Sequence, residues 1–175
     1  MAWMRITSFL FGWNRTAPRW GRTSRLVSLL TVMAAVGAAC SRSGSSGVQH
    51  TYSVSARGFQ YQGLPTSIKS GLVALAFANR EPFPITHELV VVSLPGGDSA
   101  RDVADAAKAK GTDSEDEWLH WGEIGEVETG SIHVGLFDLR PGRYALACWQ
   151  TGTTDGGTGP PHAALGMVYS FTVTP

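Results

Sequence analysis

Four side chains of this sequence have the types and positions to hold a soft metal ion. Cys148 closes the stretch RYALAC, His162 follows Pro160-Pro161, Met167 opens the last apolar segment, and His87 lies near the start of ITHELVVVSL. A thiolate, two imidazoles and a weak thioether make the donor set of a copper electron-transfer site. Zinc prefers a carboxylate or a second Cys to Met. Each residue also has a plainer reading. Cys148 is otherwise a buried inert thiol, or a nucleophile with His162 as its base. Met167 taken alone is core, and His162 taken alone is a surface-loop histidine. The nucleophile reading is the weakest, because no Cys-protease signature surrounds Cys148 and a core-facing thiol is poorly reached by substrate. The expectation is therefore a chain that is not an enzyme. His120, flanked by Trp118, Leu119 and Trp121, reads as part of an aromatic surface or loop cluster. His133 reads as the solvent face of a strand. Trp149 is cover for the sheet or a shaper of the site.

These donors need strands to aim them. Twenty-one Gly and nine Pro in 175 residues predict many turns and short strands. Residues 51–61 alternate and predict a strand with a bulge at Gly58. Residues 71–79, 85–94, 131–137, 143–149 and 167–173 predict further strands. Residues 99–110 predict a helix capped by Asp98 or Ser99 and ended by Gly111, inserted at the surface between strands. Residues 112–117 read as an acidic loop. Seven or eight short strands with one small helix predict an antiparallel Greek-key β-sandwich. In 143–149, Tyr144, Leu146 and Cys148 share the apolar face; in 167–173, Met167, Tyr169, Phe171 and Val173 do so. If these two strands pair as a hairpin, Cys148 and Met167 lie at one end of the sandwich and the loop 150–166 arches over them with His162. His87 joins them only if its strand runs parallel to the last one.

Three stretches carry a resemblance. FPITHELVVVSL (83–94) resembles the cupredoxin segment that bears the first copper histidine. LRPGRYALAC (139–148) resembles the strand leading to the copper cysteine, and HAALGMVYSFTV (162–173) resembles the final histidine, axial methionine and last strand. The resemblance implies one type 1 copper held by His87, Cys148, His162 and Met167, and a role in carrying single electrons to or from a redox partner protein. The alternative is the same fold without metal, serving as an interaction or ligand-binding module. Two departures stand out. Thirteen residues, Trp149–Pro161, separate Cys148 from His162, where cupredoxins usually have only a few. The residue after the first histidine, commonly an Asn that braces the Cys loop, is here Glu88. The long loop predicts a loosely held His162, displaced from the other three donors before metal arrives.

The first forty residues read as an address. Five arginines and no acid precede Cys40, and residues 26–39 (LVSLLTVMAAVGAA) carry no charge. Fourteen uncharged residues fall short of the roughly 20 that cross a bilayer as a helix. A basic region, an apolar region and small residues make a secretory signal over 1–39. Gly37-Ala38-Ala39-Cys40 resembles a bacterial lipobox, which implies a lipid-modified Cys40 as mature N-terminus. Residues 40–50 then form a Ser/Gly-rich tether, and 51–175 the domain. The expected location is the extracytoplasmic side of the cell envelope, with the membrane as partner through the lipid. Simple cleavage and an uncleaved anchor are the alternatives. With Cys40 so used, Cys148 is left as a lone thiol in an oxidising compartment. From Cys40 onward nine Lys and Arg stand against fourteen Asp and Glu, a net of −5. An acidic body argues against nucleic-acid binding, which needs a basic face. A monomer is expected.

Overall fold

The computed structural model describes residues 47–152 and 158–175. The expected signal segment 1–39, Cys40 and the expected tether up to residue 46 lie outside the described residues. Two sheets face each other. The first has the order β2-β1-β4-β7, built from β1 (His50–Ala56), β2 (Tyr61–Gln62), β4 (Gly71–Asn79) and β7 (Ile132–Leu139). The second has the order β3-β9-β8-β5-β6, built from β3 (Ser67–Lys69), β9 (Val168–Thr174), β8 (Gly142–Ala147), β5 (His87–Ser93) and β6 (His120–Val127). Alternating residues of both sheets meet between them: Val54, Leu75 and Phe77 from one, Leu89, Leu146 and Phe171 from the other. Among the described residues no helix is long and apolar enough to cross a membrane.

The sandwich is as expected, but its sheets are mixed rather than antiparallel. β1 pairs parallel with β4, and β3 parallel with β9. Parallel neighbours need a crossover connection, and residues 57–70 supply it: they carry β2 beside β1, cross to the second sheet as β3, and return into β4. The strand expected over 51–61 is not bulged but broken. Gly58 and Phe59 have φ of 60° and 56°, and Arg57 N–H donates to the Gln60 carbonyl at 3.0 Å. Two consecutive positive φ angles are the pattern of a type I′ hairpin turn, which reverses the chain into β2.

The helix α1 (Ala100–Lys110) begins after Ser99 and ends at Gly111, as its caps require. The Asp102 carboxylate accepts the Ser99 N–H at 2.8 Å. The helix is more than a surface insertion. Val103 packs on the outer face of the second sheet, against Val90, Val92, Ala145, Ala147 and Trp149. β5 is consequently buried on both faces, which explains its unbroken apolar sequence. The acidic segment 111–117 is a 3-10 helix rather than an open loop.

One consequence of the strand order bears on the site. β5 is antiparallel to β8, and β8 antiparallel to β9. β5 and β9 therefore run the same way, and their starts share an end of the sandwich with the finish of β8.

Candidate metal centre

At that end, Cys148 follows β8, His87 opens β5, and His162 and Met167 precede β9; all four are fully buried. His87, Cys148 and His162 form one cluster whose ligating atoms lie within 4.8 Å of one another. The Cys148 sulfur stands 3.3 Å from His162 Nδ1 and 3.8 Å from His87 Nδ1. The two Nδ1 atoms are 2.9 Å apart. Donor atoms bonded to one ion at about 2.0–2.3 Å would stand roughly 3.5 Å from each other in a trigonal plane. The observed triangle is close to that. Met167 lies in the same buried cluster as Cys148, and its N–H donates to the His162 carbonyl at 2.9 Å.

The far nitrogens explain the orientation of the rings. His162 Nε2 lies 2.6 Å from the Gly152 carbonyl oxygen, which can only accept. His87 Nε2 lies 3.1 Å from Glu81 Oε1. A neutral imidazole has one donor and one acceptor nitrogen. With both Nε2 atoms donating, both Nδ1 lone pairs point at the same spot beside the sulfur. Without a cation those lone pairs face each other with only the thiol proton to share, so the donor set fits a metal ion. Such outer hydrogen bonds to ligating histidines are the usual way a protein fixes ring orientation.

Burial sets the proton states. It pushes the Cys148 thiol well above its ordinary range, helped by the Glu88 charge and opposed by the N–H groups of Glu88 and Gln150. It lowers both imidazoles. For His87 the Glu81 hydrogen bond opposes that and His162 adds to it; for His162 the Gly152 contact opposes it. A fully buried, protonated thiol is a poor nucleophile.

The expected displacement of His162 does not occur, and the loop's own structure gives the reason. Gly152 bridges Thr158, and Gly159 N–H donates to the Thr151 carbonyl at 2.8 Å, so the insertion is pinched at its base. His162 N–H donates to the Gln150 carbonyl at 2.9 Å, and Ala163 N–H to the Cys148 carbonyl at 2.7 Å. Ala163 and Ala164 are buried against Ala107 of α1. These bonds tie His162 back to the end of β8.

Glu88 supplies the brace expected of an Asn, in another form. Its carboxylate accepts the Trp149 N–H at 2.5 Å and the Gln150 side-chain amide at 3.1 Å, while its own N–H points at the Cys148 sulfur at 3.4 Å. Trp149 is buried sheet cover, its ring nitrogen bonded to Ser114 Oγ at 3.0 Å. His120 is exposed and stacked on Trp149 at 6.1 Å, but as the first residue of a strand. His133 is exposed on β7. Two residues of the site were not singled out from sequence. Glu81 lies in the Pro-rich turn before β5, and Phe59 at the β1–β2 turn packs edge-on to His162 at 4.8 Å and His87 at 5.7 Å. No local pattern in the sequence marks either.

No family model matches the sequence, and no curated protein matches it. Solved structures do. Auracyanin B is 24% identical, with 74% of this chain and 91% of that one covered and a TM-score of 0.51. A dithionite-reduced auracyanin from the photosynthetic bacterium Roseiflexus castenholzii is 19% identical, covering 74% of this chain and 100% of its own, with a TM-score of 0.53. Auracyanin A, a "blue" copper protein from Chloroflexus aurantiacus, is 18% identical over 71% of this chain and 98% of its own, with a TM-score of 0.48. The sandwich described above is the cupredoxin fold.

Proposed function

We propose that this protein is an exported cupredoxin that binds one copper ion through His87, Cys148, His162 and Met167 and carries single electrons. The observation that carries this reading is the convergence of two imidazole Nδ1 atoms and one thiol sulfur in a buried triangle, each far nitrogen tied to an acceptor. The cupredoxin fold supports it. Copper bound there supplies a one-electron couple that the polypeptide lacks. The chain's residues do the rest. Glu81 and the Gly152 carbonyl hold the rings, Glu88 holds the Cys loop, and Phe59 covers both imidazoles. A site held this firmly changes little between oxidation states. The burial of Cys148 favours this reading over thiol catalysis.

Export and lipid attachment at Cys40 belong to the same proposal and rest on residues 1–40. They fit an acidic domain whose redox partner is another protein of the cell envelope. Cys40→Ser should release the protein from the membrane fraction.

The central test is a visible spectrum of the purified protein on addition of Cu(II). An intense blue or green band should appear at one equivalent and be absent in Cys148→Ser, because the band needs the copper–thiolate bond. Protein that stays colourless, with no heat of copper binding, would leave the metal-free cupredoxin fold as the function's basis.

A further inference from the structure

Glu81 is a carboxylate buried within hydrogen-bond reach of a candidate ligand. It is 6% exposed, and its Oε1 contacts His87 Nε2 at 3.1 Å. Its position is fixed from several sides. The Asn79 side chain, itself 1% exposed, donates to the carbonyls of Ile85 at 2.6 Å and Val127 at 2.8 Å, and its oxygen accepts the Glu81 N–H at 3.1 Å. That clamps the turn between β4 and β5. At the other end, the Phe59 N–H donates to Oε1 at 3.1 Å. Phe59 is a non-glycine residue held at φ 56°, a strained conformation that clusters at functional sites. The hairpin turn thus holds the same carboxylate oxygen that contacts His87.

Resting on the copper reading above, we infer that Glu81 is a positioning residue: it fixes His87 as the Nε2–H tautomer with Nδ1 facing the metal, and its charge lowers the reduction potential. A carboxylate behind a ligating imidazole makes that ligand more electron-rich. An extra negative charge close to the metal stabilises the more positive oxidation state, Cu(II) over Cu(I). Among the described residues no other carboxylate contacts either imidazole, and His162 leans on the neutral Gly152 carbonyl.

Two variants separate the roles. Glu81→Gln keeps an acceptor oxygen and removes the charge; Glu81→Ala removes both. In the metal-free protein, above the imidazole titration range, nitrogen-resolved NMR should show His87 as a single Nε2–H tautomer in the parent and in Glu81→Gln. In Glu81→Ala it should show a mixture. With Cu(II) as the probe, Glu81→Gln should bind about tenfold more weakly while Cu(I) binding stays near the parent's, an upward shift in potential of about 59 mV for one electron. Glu81→Ala should lose about 10–100-fold in copper affinity. If Glu81→Ala does not fold, the Gln variant decides the charge effect, and the tautomer of the parent decides the positioning. An unchanged or lower potential in Glu81→Gln, or an Nδ1–H His87 in the parent, overturns the inference. A parent that binds no copper overturns the functional reading instead, and the tautomers still decide whether Glu81 positions the ring.

Discussion

Burial of Cys148 and the two histidines has an effect visible in metal uptake. The thiol is held protonated near neutral pH, whereas the imidazoles, lowered from 6.5, are already neutral there. Copper must therefore displace about one proton, from Cys148, and its apparent affinity should rise about tenfold per pH unit between roughly pH 7 and 8. Calorimetry in buffers of different ionisation enthalpy counts that proton directly; a count of zero would mean a thiolate already present. Met167 allows a second experiment. Met167→Leu is close to volume-conserving at a fully buried position and should cost less than about 1.5 kcal/mol of stability. It should retain copper and raise the potential, because the weak axial donor is among the groups that tune it. Loss of the metal on this change would make Met167 an essential ligand rather than a weak one.

Among the elements, the loop after β8 depends on Glu88. Glu88→Ala leaves the buried Trp149 N–H and the Gln150 amide without their acceptor, and should cost about 2–3 kcal/mol in chemical unfolding. Glu88→Gln should recover most of that; if Ala and Gln unfold alike, the brace lies elsewhere. The same scale shows what was legible in the sequence. β4 and α1 were readable because alternation and the caps Ser99 and Gly111 are local signals. β6 was not. Its pairing with β5 is interrupted by register shifts between His87 and Leu89 and between Val91 and Val92, and Gly122 and Glu126 have φ of 134° and 36°. These irregularities erase the period of two on which a strand is recognised. The inward aim of Cys148 and Met167 followed from the pleat alone. The approach of His87 did not, because the direction of β5 relative to β9 is decided by the strand between them. Glu81 was invisible because Asn79, through contacts to Val127 far along the chain, sets the path of its turn.

For the molecule as a whole, three separate parts of the chain meet at one end of the sandwich, and the buried groups there link the site to global stability. His87 and His162 are held neutral by burial, their folded values lying below the unfolded 6.5. As pH falls through about 6.5, the unfolded chain takes up protons that the folded chain refuses. Stability of the metal-free protein must then fall with acidification, no more steeply than about 2.7 kcal/mol per pH unit, the limit for two protons. Glu81 acts in the same direction at lower pH. Burial opposes its ionisation, but the Gly58 and Phe59 N–H groups and His87 outweigh that and hold it below 4.5, so its contribution is lost as pH falls further. At the alkaline side the sign reverses above about 9, where the unfolded thiol ionises and the folded one does not. Thermal unfolding of the metal-free protein should accordingly give a melting temperature that is highest between roughly pH 7 and 9 and drops on either side. Copper at a thousandfold excess over its dissociation constant should add about 4 kcal/mol. Because protons compete for the same three donors, that increment should shrink as pH falls toward 5. A metal-free melting temperature that stays flat from pH 8 to 5 would mean that the histidines are not buried in solution as they are in this fold.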